Sequence, residues 1–209
     1  MRTIMCMNAK GGCGKTTIAT NLATWFADDG KKVVLADFDP QRCTLDWLEA
    51  RKSYIGIPEI KGIDATSEPL RVAKDTDYVI MDAPAGTHGK AVASMLRRVD
   101  DLIVPVLPSP IDMRTVQRFI EELLHTGRVS SEKTRIALVA NRVRENTRVF
   151  HALEDFLEHT GIPVLTHLRE SQNYIRAAET GLGIFELAPS MVFKDVVQWD
   201  PILDWLDDA

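Results

Sequence analysis

A glycine-rich run near the amino terminus constrains the fold of this chain more than any other feature. It reads Asn-Ala-Lys-Gly-Gly-Cys-Gly-Lys-Thr-Thr over residues 8–17, between an apolar β-branched segment and a stretch with helical periodicity. Glycines in such a loop let successive backbone N–H groups converge on phosphate oxygens, and the positive end of the following helix dipole faces the same place. We therefore expect a strand, a phosphate-binding loop and a helix in succession.

The side chains of this loop predict a nucleoside triphosphate and Mg²⁺ as ligands. Lys15 is expected to reach the β- and γ-phosphates, and the Thr16 hydroxyl is expected to ligate Mg²⁺. Ala9 stands where the usual phosphate-loop pattern has its first glycine, so a strict pattern search would miss this loop. The candidate nucleotide-binding residues are Lys10, Gly11, Gly12, Cys13, Gly14, Lys15, Thr16 and Thr17.

The rest of the chain alternates short apolar runs with helical patterns, which is typical of a parallel sheet covered on both faces. Strands are predicted at 3–7, 33–36, 78–81, 102–107, 135–140 and 164–167, and helices at about 15–28, 43–52, 89–98, 112–126, 147–160, 172–181 and from 190 onward. The segment 53–77 lacks periodicity and is predicted to be an irregular connection. A length of 209 residues then predicts one doubly wound, mainly parallel α/β domain spanning 1–209.

Composition excludes several classes of protein. Thirty acidic against 25 basic side chains give a net charge of −5, which argues against a protein that coats nucleic acid through its overall charge. Three cysteines without CxxC spacing indicate neither a disulfide framework nor a zinc ribbon, and a reducing cytoplasm suits them. The apolar runs are far shorter than the roughly 20 residues that span a bilayer.

Acidic residues follow two further predicted strands. Asp37 and Asp39 belong to the run Asp-Phe-Asp-Pro-Gln after the second predicted strand, and Asp82 follows the four apolar-rich residues 78–81. The carboxyl ends of parallel strands share one edge of the sheet, so these carboxylates are expected near the phosphate loop. One could join the Mg²⁺ shell while another orients the attacking water. Gly86 is a candidate hinge of a second switch segment.

Together these runs resemble the ParA/MinD family of ATPases, whose phosphate loop is called a deviant Walker A box. The resemblance rests on Lys-Gly-Gly-x-Gly-Lys-Thr-Thr, on Asp-x-Asp-Pro-Gln, and on the apolar strand followed by Asp-x-Pro. It implies ATP and Mg²⁺ as cofactors, slow ATP hydrolysis, and an ATP sandwich homodimer in which Lys10 reaches the partner's nucleotide. It assigns catalysis to Lys10, Lys15 and Asp39, and metal binding to Thr16, Asp37 and Asp82.

The resemblance extends further along the chain. Leu-Val-Ala-Asn-Arg at 138–142 is similar to the family's strand end whose asparagine reads adenine, so Asn141 is a candidate base contact. A helix-capping or turn asparagine is the alternative for this residue. Cysteine is found at the position of Cys13 in the family, and we interpret it as a small loop residue rather than a redox switch.

Missing features narrow the choice within the family. No cysteine lies beyond Cys43, which argues against a nitrogenase-type iron protein. Five acidic and no basic residues lie between Asp195 and the end of the sequence, so a MinD-like membrane helix is not expected. We predict that Ile202, Leu203, Trp205 and Leu206 pack on the core instead. An N-terminal helix-turn-helix domain is not expected either, because the phosphate loop begins at residue 10.

What remains resembles a small ParA-type ATPase that positions a cargo over the nucleoid. The cargo class could be a plasmid or a cytoplasmic assembly such as a carboxysome or chemotaxis cluster, with an adaptor protein that stimulates hydrolysis. The alternative is a small-molecule ATP-dependent ligase of the dethiobiotin synthetase kind, which shares the fold. Turnover that depends on DNA and an adaptor favours the first, and turnover that depends on a small acid or amine favours the second.

Non-specific DNA binding would need a local basic surface, since the whole chain is acidic. Eight basic and five acidic residues lie between Ser109 and Phe150. Solvated helix faces often have this composition, which is the alternative interpretation. The candidate phosphate contacts are Arg144, Arg148, Arg169, Arg176 and Lys194.

Overall fold

Seven strands form the centre of the protein in the computed structural model, which describes residues 1–67 and 69–208. They are β1 (Arg2–Cys6), β2 (Val33–Asp37), β3 (Lys61–Asp64), β4 (Tyr78–Asp82), β5 (Asp101–Val106), β6 (Arg135–Val143) and β7 (Val164–Arg169). Their spatial order is β3-β2-β4-β1-β5-β6-β7, and all six neighbouring pairs are parallel. The predicted doubly wound α/β fold is confirmed. The predicted range 1–209 includes Glu68 and Ala209, which lie outside the described residues.

Helices connect the strands and cover both faces of the sheet. They are α1 (Lys15–Asp28), α2 (Cys43–Arg51), α3 (Lys90–Leu96), α4 (Pro110–Leu124), α5 (Gly127–Ser130), α6 (Arg148–Glu158), α7 (Gln172–Thr180), α8 (Pro189–Val196) and α9 (Asp200–Asp207). Single 3-10 turns lie at Ile184–Glu186 and Val197–Trp199. Apart from the four-residue α5, every helix overlaps a predicted helical region, although α4 begins at Pro110, two residues before the predicted region 112–126.

The sheet separates two apolar layers. Met5 of β1 packs with residues of α3, α4 and α6, whereas Ile4 and Cys6 pack with residues of α1, α2, α8 and α9. This alternation follows from the strand period of two, which sends successive side chains to opposite faces. Both faces are therefore buried, as the apolar runs predict.

The strand order places the loop after β1 at the centre of the carboxyl edge. β1 lies between β4 and β5; the chain runs from β1 to β2 in one direction along the sheet, and from β4 across β1 to β5 in the other. Ligands of open α/β sheets bind in the crevice that forms at this point. The phosphate loop and the ends of β2 and β4 are consequently neighbours.

The prediction of an irregular connection over 53–77 is wrong in part, because β3 lies within it. β3 is a four-residue edge strand that pairs only with β2, and Lys61 and Gly62 are exposed. This edge strand has one apolar residue and is paired on one side only. Its sequence therefore lacks the alternation of apolar and polar residues that predicts a strand. Gly62 packs closely under α2, since a Cβ there would lie 2.6 Å from Leu48 Cδ1 and would force that side chain to move.

The carboxyl-terminal helix docks on the core as predicted. Ile202, Leu203 and Leu206 are buried. Trp205 is half-buried, and the Arg135 guanidinium lies over its ring, 4.2 Å from the ring centroid. Arg135 also donates to the Trp205 carbonyl. Among the described residues, no helix combines the length and apolar character needed to cross a membrane.

Candidate nucleotide-binding site

The loop between β1 and α1 has the conformation that its glycines require. Gly12 and Gly14 have φ values of +74° and +98°, which side chains with a Cβ rarely adopt. Asn8 holds the loop in place, because its amide donates to the Pro105 carbonyl at 2.7 Å and its Oδ1 accepts from Lys10 N at 2.9 Å. The loop therefore stays attached to β5 on one side and ends in the first turn of α1.

Asn141 touches the phosphate loop from β6. Its amide donates to the Cys13 carbonyl at 2.8 Å, and its Oδ1 accepts from Arg142 N at 3.0 Å. A Cβ on Gly14 would lie 2.0 Å from the Asn141 Nδ2. The side chain is 4% exposed, and its contact to adenine stays a prediction.

Gly14→Ala is expected to weaken ATP binding at least about tenfold, because the new methyl group collides with Asn141 and displaces the loop. Gly30→Ala is the matched control. Gly30 also has a positive φ, +76°, but nothing lies within 4 Å of its ideal Cβ. Isothermal titration with ATP and Mg²⁺ measures both variants. Equal ATP affinity in the two would mean that close packing at Gly14 is not needed for the site.

Lys15 and Asp82 are buried and, with the half-buried Thr16, form the centre of the site. Lys15 is 7% exposed and donates from Nζ to the Lys10 carbonyl at 3.2 Å, across the concave side of the loop. The Thr16 hydroxyl donates to Asp82 Oδ2 at 2.7 Å, which joins α1 to the end of β4. These positions are the ones expected for a phosphate-binding lysine and a metal-binding hydroxyl–carboxylate pair.

The donor set around Asp82 fits Mg²⁺. Asp82 Oδ1 is buried and has no hydrogen-bond partner among the residues that the structure describes. Burial raises the pKa of this carboxyl to about 7, with the neighbouring Asp37 adding to the effect and the Thr16 hydrogen bond opposing it. A hard cation would neutralise this buried carboxylate, and Mg²⁺ prefers hydroxyl, carboxylate and phosphate oxygens. Thr16 and Asp82 would hold the ion.

Asp37 ties the segment 38–43, the candidate first switch segment, to the end of β2. Its Oδ1 accepts a hydrogen bond from Asp39 N at 2.9 Å. Its Oδ2 accepts two, one from Thr44 N and one from the Thr44 hydroxyl, the latter at 2.5 Å. Asp37 is fully buried, so both ends of the segment 38–43 are held by one carboxylate. The same bonds cap the first turn of α2. The metal-binding role of Asp37 stays a prediction. Both of its carboxylate oxygens already accept hydrogen bonds, so Asp37 would act through its position beside the metal site and not through a free oxygen.

Asp39 and Lys10 are the two candidate catalytic residues that lie nearer the surface. Asp39 is half-buried, and its Oδ1 accepts from Gln41 N at 2.9 Å in a tight turn that ends at Arg42, whose φ is +56°. The Lys10 side chain is half-buried, and its ammonium has no hydrogen bond or ion pair within residues 1–67 and 69–208. Both side chains remain able to contact a ligand or a partner chain.

Cys13 lies inside the loop and is 1% exposed. Its thiol donates to the Lys10 carbonyl at 3.3 Å, and burial raises its pKa. A buried thiol with a raised pKa is a poor nucleophile. The structure therefore favours the interpretation of Cys13 as a small loop residue.

The five candidate DNA contacts have different surroundings. Arg148 begins α6 and is exposed, whereas Arg144 is paired with Glu170. Arg169 donates to Asp195 at 2.5 Å, and Asp195 is fully buried, so this guanidinium has a structural partner. The exposed side chains of Arg176 and Lys194 lie on α7 and α8.

Two residues of the site escape sequence reasoning. Asn8 precedes the recognised loop pattern, and Thr44 follows the Asp-Phe-Asp-Pro-Gln run by three positions. Both act by holding backbone groups of the site. The sequence signals that could have indicated them are a polar residue at a strand end and a hydroxyl in the first turn of a predicted helix. Each of these signals is common in unrelated proteins.

The fold and the site define a P-loop nucleotide-binding protein with a second lysine in the loop. The family model for the CobQ/CobB/MinD/ParA nucleotide binding domain matches residues 4–184, and the chain belongs to this family.

Relatives of this chain include positioning and partition proteins. The maintenance of carboxysome distribution protein A of Halothiobacillus neapolitanus is 31% identical over 191 residues, which cover 88% of this chain and 87% of the relative. Two solved structures share the fold at 17% identity. A plasmid partition protein of Borrelia burgdorferi bound to AMPPNP has a TM-score of 0.74 with 97% and 98% coverage, and an ATP complex of a Cyanothece McdA variant has 0.69 with 97% and 96%.

Proposed function

We propose that this protein is an ATP-dependent positioning ATPase that forms an ATP sandwich homodimer and attaches to DNA without sequence preference. The observation that carries the proposal is Lys10. It lies in a complete phosphate loop beside Lys15, yet its ammonium has no partner among the described residues. A cation at this place can serve the nucleotide of a second copy, which is what the family resemblance implies for it.

The residues divide the work of ATP hydrolysis. The loop amides of Gly11, Gly12, Cys13 and Gly14 and the Lys15 ammonium bind the phosphates, and Thr17 follows in the first turn of α1. Thr16 and Asp82 hold Mg²⁺, which when bound neutralises charge on the phosphate oxygens. Asp37 fixes the ends of the switch segment, and Asp39 orients the attacking water from within it. Asn141 holds the loop through the Cys13 carbonyl, and we propose that it also contacts the base.

The cargo is of the class that relatives handle. The Halothiobacillus relative is named for the distribution of carboxysomes and the Borrelia neighbour for plasmid partition. We propose a cytoplasmic, nucleoid-associated protein whose slow basal turnover is stimulated by an adaptor protein. We propose that residues 1–209 form one domain of this kind.

DNA binding would begin from Arg148. Its side chain is exposed, and within the described part of the chain it has no ion-pair partner, whereas Arg144 is held by Glu170. Arg176 and Lys194 are further candidates, and Arg169 is the weakest because Asp195 holds it. A patch doubled by dimerisation acts within a Debye length of about 8–10 Å, so the net charge of −5 does not oppose it.

Arg148→Glu is expected to weaken DNA binding of the ATP state about tenfold and to lower the salt slope by about one or more per subunit. The loss should be equal for unrelated sequences. Lys133→Glu is the matched control, because Lys133 is exposed and precedes the opposite end of β6. Fluorescence anisotropy of labelled duplexes over a range of salt measures both. Equal binding by the two variants would remove Arg148 from the DNA surface.

The ligase alternative is tested with the same preparation. ATP hydrolysis measured with duplex DNA and a candidate adaptor should rise above the basal rate. Turnover that instead appears only with a small carboxylic acid or amine, and is indifferent to DNA, would favour a ligase of the dethiobiotin synthetase kind.

A further inference from the structure

An apolar groove lies at the end of α1 that is far from the phosphate loop. Its walls are formed by α1, by the 3-10 turn at Ile184–Glu186 and by α8, and its volume is about 430 Å³. The 14 residues of α1 separate it from the loop by about 20 Å at 1.5 Å per residue. The apolar side chains that line it include Trp25, Phe185, Leu187, Phe193 and Val196.

The aromatic side chains of the groove are unusually open for a protein surface. Phe193 is 71% exposed and Trp25 is 36% exposed. The Trp25 ring lies 4.9 Å from the ring of Phe185, which is fixed in turn against the buried Trp199 at 5.5 Å. The groove is therefore an exposed apolar surface in which Phe185 and Trp25 pack on the buried core, and aromatic side chains of this kind provide binding hot spots.

Carboxylates stand on one wall of the groove. Asp28 and Asp29 end α1 and follow it, and both line the groove. Asp29 is paired with Lys31 at 3.3 Å, but the Asp28 carboxylate has neither a hydrogen bond nor an ion pair within the described residues. Asp28 is exposed on this wall, and partial desolvation together with the nearby Glu186 raises the pKa of its carboxyl, while Arg51 opposes the shift. A cation paired with Asp28 would offset the repulsion from Glu186.

We propose that this groove binds a segment of a partner protein that combines apolar with basic side chains. The apolar side chains would fill the space between Phe185, Leu187 and Phe193, and an arginine or lysine would pair with Asp28 while lying against the Trp25 ring. A second copy of this chain fits less well, because a symmetric contact would bring the same aspartates together. The inference does not rest on the proposed function, since no residue of the nucleotide site lines the groove.

Two labelled probe peptides test the proposal on the full chain. Both are amphipathic helices of about four turns with leucines on one face, and they differ only in having arginine or glutamate beside the leucines. The arginine probe should bind saturably by fluorescence anisotropy, and the glutamate probe should not. Trp25→Ala and Asp28→Lys should each weaken binding at least about tenfold. Asp28→Asn provides a milder variant if Asp28→Lys does not fold.

Asp155→Lys is the control for charge and Ile55→Ser the control for apolar loss, because both side chains are exposed and neither lines the groove. They should bind the arginine probe like the unmodified chain, and Phe193→Ser should not. No saturable binding of the arginine probe, equal binding of both probes, or equal loss in Asp155→Lys and Asp28→Lys would each overturn the proposal. So would a nucleotide-independent dimer that Phe193→Ser dissociates, because it would assign the groove to a second copy.

Discussion

Replacing Asp39 with alanine is expected to lower ATP turnover at least about 100-fold, the scale of losing a group that positions or activates the attacking nucleophile. ATP affinity should change little. The reason lies in the contacts of Asp39, whose Oδ1 holds the turn through Gln41 N while its other oxygen has no hydrogen bond within the described residues. The contacts of Lys15, Thr16 and Asp82, the proposed phosphate- and metal-binding residues, do not involve Asp39 and should stay intact.

Single-turnover hydrolysis and equilibrium ATP binding, measured on the same preparation, separate the two effects. Asp46→Ala is the matched control, because Asp46 is an exposed carboxylate in the first turn of α2. It should hydrolyse ATP like the unmodified chain. If Asp39→Ala instead lost ATP affinity while the bound fraction turned over normally, the residue would belong to nucleotide binding and not to the chemical step.

Lys10→Ala is expected to weaken ATP-dependent dimerisation at least about 30-fold while ATP still binds to the monomer. The physical reason is the loss of a cation that a buried partner phosphate would otherwise contact. The ammonium of Lys10 holds no bond within the described residues of its own chain, so the substitution should leave the free energy of unfolding nearly unchanged. Light scattering in ATP and in ADP measures the change.

Two control variants, Lys15→Ala and Lys133→Ala, are compared with Lys10→Ala. Lys15→Ala should lose ATP binding itself, because Lys15 lies inside the loop, whereas Lys133→Ala should dimerise normally because Lys133 is exposed outside the site. A Lys10→Ala protein that dimerises in ATP as well as Lys133→Ala would show that Lys10 does not serve a second copy. The proposed dimer would then need a different contact.

The sequence predicts the sheet and the loop because both have strong local patterns. Apolar runs of four to six residues, separated by helical periods, locate six of the seven strands. β3 escapes detection because an exposed edge strand needs little apolar character. β6 extends through Val143 instead of ending at 140, because an irregularity beyond Ala140, with Arg142 at φ +53°, carries the strand past Asn141.

The contacts that shape the site are less predictable, since they join residues far apart in sequence. Asn141 meets Gly14 and Cys13 across 127 and 128 positions, and only the folding of the whole sheet brings these residues together. Asp37 looks like a metal residue in the sequence, while in the structure both of its oxygens hold the switch segment. Likewise, nothing local to Arg169 indicates that Asp195 holds it. The local sequence pattern predicts which residue types stand at the site, and contacts between residues distant in sequence determine what each of them does there.

Nucleotide-dependent attachment to DNA is the most direct test of a positioning ATPase of this kind. The measurement is anisotropy of one labelled duplex titrated with the Asp39→Ala chain in Mg²⁺ with ATP and, separately, with ADP, at low salt. We expect saturable binding in ATP that falls steeply with added salt and is the same for an unrelated duplex, and negligible binding in ADP. Equal binding in the two nucleotides, or none in ATP at low salt, would contradict a DNA-attached switch.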